Sequence, residues 1–275
     1  NFPLKDFYSP YMNDDKKDIT IRHLLTHTAG LKKYVEYYKI PNMNRETIVE
    51  DIVSRKLEYE PDSKTVYSDL GMILLLDIIE KVTGSKLDKL SKEYFYSPLG
   101  MHNTMFNPSS DFRGRIAPTE DDSYFRKKLL QGIVHDENAY ILDGVSGHAG
   151  LFSNANDIGI FCKMLLDGGY YLGIRYFDSD VIDYFTNRQN ITKNSDRALG
   201  WDTPSQLGRS STGDYFSSDS YGHLGFTGTS VWSDPVNDII VVLLTNRVYP
   251  TRNKKDIKKR MYLFRRTFHN EVMKQ

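Results

Sequence analysis

Apolar residues recur at helical spacing along most of this chain and at strand spacing only near its C-terminus. Residues 19–29 predict a helix with Ile21, Leu24 and Leu25 inward, closed by Gly30. Residues 45–56 predict a second. Residues 69–83 carry Leu70, Ile73, Leu74, Ile78, Ile79 and Val82 and stop at Gly84; this segment is apolar nearly all round, which predicts a buried helix. Residues 86–96 predict another, broken by Pro98 and Gly100. The stretch 102–154 reads as loop-rich, with Gly144, Gly147 and Gly150 in close succession. Helices follow at 155–166, closed by Gly168-Gly169, and at 178–187.

The tail differs. Residues 228–233 and 238–245 predict two strands joined by a turn at Asp234-Pro235-Val236-Asn237. Two strands are too few for a stable sheet, so further strands are expected to come from an N-terminal segment that precedes Asn1. A last helix spans 253–273, with Ile257, Met261, Phe264, Phe268 and Val272 on one stripe.

The chain has 275 residues and 39% hydrophobic content, enough for a sizeable core. Its 36 basic and 36 acidic residues cancel, and nothing indicates a nucleic-acid partner, whose footprint would be basic. The basic run Arg252–Arg266 reads as the solvated face of the last helix. The single cysteine, Cys162, rules out a disulfide within the chain and reads as a small buried hydrophobe. No apolar run approaches the ~18 residues that span a membrane. The chain begins with Asn1, so the lack of a targeting signal says nothing about compartment.

Two segments carry candidate chemistry. Tyr67-Ser68-Asp69 stands at the start of the 69–83 helix, with Ser68 or Asp69 as its N-cap. A helix N-terminus favours negative charge, and with a neighbouring cation it would bring the Tyr67 phenol below its usual ~10, toward use as a base. Ser68 and Asp69 are placed to hydrogen-bond to substrate and to that cation. The second segment is His223-Leu224-Gly225-Phe226-Thr227-Gly228, before a strand. Its glycines let a ligand approach the backbone, the Phe226 N–H is an oxyanion-donor candidate, and His223 would orient substrate or move a proton. His135, Asn138 and His148 are candidate walls of the site, His148 equally a structural hydrogen-bonding residue. His23 and His27, spaced i, i+4, could share a helix face and a metal, but lack the glutamate of the protease zinc motif.

These segments, with three others in the same order, resemble the serine β-lactamase-related and penicillin-binding hydrolases on the class C side. Ile19–Leu31 is similar to the helix after the nucleophile helix. Val66-Tyr-Ser-Asp69 resembles the second motif, usually Tyr-x-Asn. Pro98–Thr104 and Ser146–Ser153 resemble later signatures, and His223-Leu-Gly resembles the third motif, Lys/His-x-Gly. The resemblance covers about residues 18–247. It implies an α+β (sandwich-like) β-lactamase/transpeptidase fold: an antiparallel sheet flanked by helices plus a mostly helical subdomain. The chain is expected to be one truncated domain, helical and loop-rich over about 19–215, with strands and helix over about 219–273.

The resemblance also implies a Ser-x-x-Lys nucleophile motif, but no serine here has lysine three positions on. The N-terminal strands and nucleophile helix are therefore expected to be missing, and the chain inactive alone. Tyr67 would be the general base, His223 the third-motif residue, and Ser68, Asp69, Gly225 and Phe226 substrate-binding. Asp69 where asparagine is usual, and His223 where β-lactamases carry lysine, point away from a dedicated β-lactamase and toward the penicillin-binding-protein-4B-type branch. The implied substrates are a peptidoglycan peptide, an ester or a β-lactam, with no cofactor, and the cell envelope by analogy. The alternatives are a non-catalytic cell-wall or ligand-binding module on the same fold and a metal hydrolase using His23 and His27.

Overall fold

The structure, a computed structural model, describes residues 2–8, 12–208 and 210–274. Helices α1 (Lys5–Tyr8), α2 (Ile21–Leu25), α3 (Arg45–Ser54), α4 (Asp69–Thr83) and α5 (Leu87–Ser91) come first, α5 running on into a π turn over Lys92–Tyr96. The loop-rich middle holds β1 (Met105–Phe106), β2 (Glu120–Asp122), β3 (Lys128–Leu130), α6 (Glu137–Ile141) and β4 (Leu151–Phe152). Then follow α7 (Ala155–Leu166), β5 (Tyr170–Tyr171), β6 (Ile174–Arg175), α8 (Ser179–Thr186), β7 (Tyr221–Leu224), β8 (Ser230–Asp234), β9 (Ile239–Leu243) and α9 (Ile257–Met273). The architecture is α+β. Among the described residues no helix is long and apolar enough to cross a membrane.

The largest sheet is antiparallel in the order β7-β8-β9, with His223 opposite Val231 and Val231 opposite Val242. Its third strand, β7, lies within this chain, not in a preceding segment as the two-strand reading expected. Tyr221–Leu224 is short and carries a central glycine, so its alternation is too brief to register. Gly222 leaves no room for a side chain: a Cβ there would fall 2.1 Å from the Val231 carbonyl oxygen. Along its other edge β9 pairs with no strand among the described residues.

Helix α4 is the axis of the first core. Ser68 caps it, accepting from Gly71 N–H at 3.4 Å, and Gly84 ends it in the left-handed region at φ 67°. Leu70, Ile73, Leu74 and Ile78 are buried against Leu24 of α2 and Ile48, Val49 and Ile52 of α3. Each such burial contributes about 1.5–3 kcal/mol. The helix is not buried all round: Ile79 and Val82 face solvent. Helix α2 is shorter than the apolar pattern suggested, because His27 takes φ 57° and turns the chain before Gly30. A second cluster joins Met164 and Leu165 of α7 to Ile182 of α8 and Tyr221 of β7. The third sets Trp232 and Val241 of the sheet against Phe268 and Val272 of α9. The buried positions of α9 are Met261, Arg265 and His269, whereas Phe264 is half exposed. Cys162 is buried, as expected.

Candidate active site

The N-terminus of α4 and strand β7 meet at two rings. Tyr67, just ahead of the Ser68 cap, lies with its centroid 6.3 Å from that of His223 and 4.5 Å from that of His27. His27 is brought there by its left-handed backbone, and its Nδ1 accepts the Ser68 N–H at 3.2 Å. Burial, with Arg197 and His223 nearby, pushes its imidazole down to about 3, so the ring is neutral. His23 faces elsewhere: Nδ1 toward Thr20, Nε2 to Asp62 at 3.0 Å. The two histidines therefore do not share a helix face, because the helix ends between them, and the alternative of a metal held by this pair loses its geometric basis.

Tyr67 departs from expectation in sign. Burial first, then the charge of Asp69, raises its phenol well above the usual range; Arg197, 5.8 Å from the ring centroid, opposes this only in part because it is ion-paired to Asp202. Desolvation outweighs the helix terminus, whose effect is confined to one turn. Ser68 turns inward. Its side chain is buried, donates to the Lys32 carbonyl at 2.7 Å and caps α4, so it is not turned toward a substrate.

Asp69 acts on the Tyr67 phenol through its charge. Burial raises its carboxyl pKa, and so does Asp136. Ligand atoms of Asp69, Asp136 and His148 lie within 4.8 Å of one another, a donor set of two carboxylates and an imidazole that a cation could occupy. Both ring nitrogens of His148 are already engaged, however: Nδ1 with Ser146 Oγ at 2.8 Å and Nε2 with Asp136 at 2.9 Å.

On the β7 side, His223 Nδ1 lies 3.0 Å from the Leu224 carbonyl. Gly225–Gly228 forms a turn closed by Gly228 N–H on Gly225 O at 3.0 Å, while Gly225 N–H reaches Thr229 O at 2.8 Å. Among the described residues no acceptor meets the Phe226 N–H. Arg265, buried on α9, donates to the carbonyls of Gly228, Gly225 and Thr229 at 3.0, 2.9 and 2.7 Å. One guanidinium thus gathers three carbonyls on one side of the turn.

The candidate walls separate. His135 stacks on Phe226 with centroids 5.7 Å apart and bonds Glu120 at 2.7 Å, so it stands beside the third motif. Asn138 is fully buried, donates to Val35 O at 2.7 Å and accepts from Tyr38 N–H at 3.3 Å; it holds a loop and forms no wall. The His148 side chain is 3% exposed, and its ring lies in the 4.8 Å cluster with Asp69 and Asp136. Sequence reasoning missed Arg197, Arg247 and Arg265. The Arg247 guanidinium lies 4.4 Å from the Phe226 centroid with no carboxylate within 4 Å among the described residues. Only Arg265 left a signal: 261, 265, 268 and 272 form one helical stripe, and an arginine inside an apolar stripe needs buried partners.

With this geometry in hand, the comparisons are specific. The chain is 36% identical over 285 residues to a Salmonella agona protein named "Putative D-alanyl-D-alanine carboxypeptidase", covering 92% of this chain and 65% of that one. A Salmonella typhi relative of the same name is 35% identical, covering 87% and 60%. The chain thus spans about three fifths of the length of these curated relatives. Its fold is shared with a penicillin-binding protein homologue from Caulobacter crescentus (TM-score 0.69, 14% identity, 89% of this chain and 70% of that one). It is shared too with the hydrolase EstCE1, which has promiscuous acyltransferase activity (TM-score 0.66, 19% identity, 95% and 76%). The Beta-lactamase family model matches residues 3–264, and the chain belongs to that family.

Proposed function

We propose that these residues form the tyrosine and histidine side of a serine acyl-transfer site that hydrolyses an amide, with peptides ending in D-alanyl-D-alanine as the substrate class. The observation that carries this reading is the approach of Tyr67 to His223, from the start of α4 and from β7, beside a turn whose Phe226 N–H meets no acceptor among the described residues. In this chemistry a serine attacks the carbonyl, an acyl-enzyme forms, and water releases it. Phe226 N–H would receive the oxyanion and His223 would orient the substrate. Tyr67, with its phenol raised, is a proton donor as the chain stands; it becomes a base only beside a further cation. Asp69 and His223 in place of asparagine and lysine support a peptide over a β-lactam substrate, and the names of the Salmonella relatives agree.

No serine among the 275 residues is followed by lysine at the third position, so this chain by itself has no such nucleophile. The chain alone should take no covalent label from a fluorescent penicillin or a fluorophosphonate. A longer protein carrying a Ser-x-x-Lys segment ahead of Asn1 should release D-alanine from an N-acyl-L-lysyl-D-alanyl-D-alanine peptide, and Tyr67→Phe should slow it about 10²–10⁴-fold. Label on a serine of these residues, or a Tyr67→Phe protein with full activity, overturns the reading. A folded longer protein that binds the peptide without turnover favours the ligand-binding module.

A further inference from the structure

Three buried side chains of α9 run along the β7–β8 hairpin. Met261, Arg265 and His269 follow one another at i, i+4 spacing and so share one face of the helix. Gly228 comes so close to this face that a Cβ would fall 3.0 Å from Met261 Sδ. His269 Nε2 meets Ser230 Oγ at 3.2 Å. Between them Arg265 spans the turn, with Nη2 on Gly225 O at 2.9 Å and Thr229 O at 2.7 Å, and Nε on Gly228 O at 3.0 Å. All three acceptors are neutral carbonyls, so among the described residues the charge of this buried guanidinium meets no carboxylate.

We propose that Arg265 is a positioning residue for the oxyanion donor: through the Gly225 carbonyl it sets the plane of the Gly225–Phe226 peptide and so aims the Phe226 N–H along the free edge of β7; this rests on the reading of that N–H as an oxyanion donor. A trans peptide is planar, and its C=O and N–H point in opposite directions. Among the described residues the one cis peptide is Tyr249–Pro250, so Gly225–Phe226 is trans. The Gly225 oxygen accepts twice, from Gly228 N–H at 3.0 Å and from Arg265, which uses both its lone pairs. Gly225 N–H also faces β8, on Thr229 O, whereas Gly222 N–H turns the other way, to Asp202 O at 2.9 Å. By strand alternation Leu224 O and Phe226 N–H share that outer edge, and His223 Nδ1 lies 3.0 Å from Leu224 O. The donor is thereby left on the His223 side of the strand, where no acceptor meets it among the described residues.

The turn's own bond from Gly228 does not suffice, because a single hydrogen bond tolerates a broad range of angles at the carbonyl. A second, charged donor on the same oxygen narrows that range. It also polarises the amide, which strengthens its N–H as a donor. An oxyanion at the Phe226 N–H would then lie one peptide unit from a cation that no carboxylate neutralises, in surroundings that screen it less than water does. The Phe226 ring has separate partners: the Arg247 guanidinium at 4.4 Å and the His135 ring at 5.7 Å, each to its centroid. Side chain and peptide plane of the donor residue are thus held by different groups.

The first measurement is the orientation of the Phe226 N–H bond in the 275-residue chain, from ¹⁵N–¹H residual dipolar couplings. In Arg265→Met the Phe226 coupling should change or average toward zero, while those of Val231 and Val242 in the sheet stay as they were. Arg265→Lys, which keeps the charge but reaches fewer of the three carbonyls, should fall between; if the methionine variant does not fold, the lysine variant is read in its place. The second measurement is turnover of a D-alanyl-D-alanine peptide by a longer protein carrying the Ser-x-x-Lys segment. There Arg265→Met should lower kcat about 10–10³-fold and leave KM within about twofold. An arginine that only ties α9 to the sheet would lower the melting temperature and move neither readout. An unchanged Phe226 coupling in a folded variant overturns the proposal, and so does a kcat within about twofold of the parent. If the unsubstituted longer protein does not turn the peptide over, the hydrolase reading fails, and the couplings alone decide whether Arg265 sets this N–H.

Discussion

Replacing Gly147 with alanine would set a methyl carbon 2.4 Å from the Met72 carbonyl oxygen and 3.1 Å from its carbonyl carbon. An ordinary carbon–oxygen contact is about 3.3 Å, so loop and helix must separate by roughly 0.9 Å. Helix α4 cannot give way, because Leu70, Ile73 and Leu74 are fully buried on its far side. The loop must move instead, and with it Ser146 and His148. Overpacking of this kind costs about 1–3 kcal/mol, which for a chain of this size lowers Tm by roughly 2–12 °C. The same shift would stretch the 2.9 Å bond from His148 to Asp136 past hydrogen-bonding range. Scanning calorimetry gives the first quantity, and the ¹⁵N titration of His148 the second. A Tm within about 1 °C of the parent with an unchanged His148 titration would refute the argument that this glycine fixes the loop on α4.

Three further outcomes are expected. Arg265→Met strips three turn carbonyls of their donor; it should cost at least about 1–3 kcal/mol in urea unfolding and loosen the Gly225–Thr229 amides in hydrogen exchange, whereas Arg265→Lys should restore only part. Arg252→Ala removes the guanidinium that joins Glu120 to Glu137, but Glu137 keeps Arg126 at 3.6 Å and Glu120 keeps His135 at 2.7 Å, so the loss in urea unfolding should fall below the about 3–5 kcal/mol of a buried charge left with no partner. His27 has a folded pKa of about 3, below its unfolded value near 6.5, so the unfolded chain binds the extra proton. Its contribution is therefore present above pH 6.5 and lost as pH falls toward 3, with a slope of up to about 1.4 kcal/mol per pH unit. His27→Gln should flatten that slope between pH 6.5 and 4, and an unchanged slope would count against a buried neutral ring.

Much of this protein was legible before any coordinates. Helices α4 and α7 run where their apolar spacing and terminal glycines place them, since cap, stripe and stop all act within one element. The turn at Asp234 is equally local: its carboxylate takes the Val236 and Asn237 N–H groups. What failed was set by partners distant in sequence. The end of α2 depends on His27 turning to meet Ser68, and β7 depends on the close approach of Gly222 to Val231. Exposure of Ile79 and Val82 reflects which faces of α4 found neighbours.

The candidate site divides along the same line. The sequence by itself determined the residue types and their order, Tyr67-Ser68-Asp69 before a helix and His223 through Gly228 before a strand, because motif chemistry is carried by adjacent residues. Only the tertiary structure decided what each does. It buried Ser68 as a cap, sent Asn138 to hold a loop, raised the Tyr67 phenol by burial, and joined Asp69 to Asp136 and His148. Desolvation and charge pairing depend on what packs around a group in three dimensions, and spacing along the chain does not encode that.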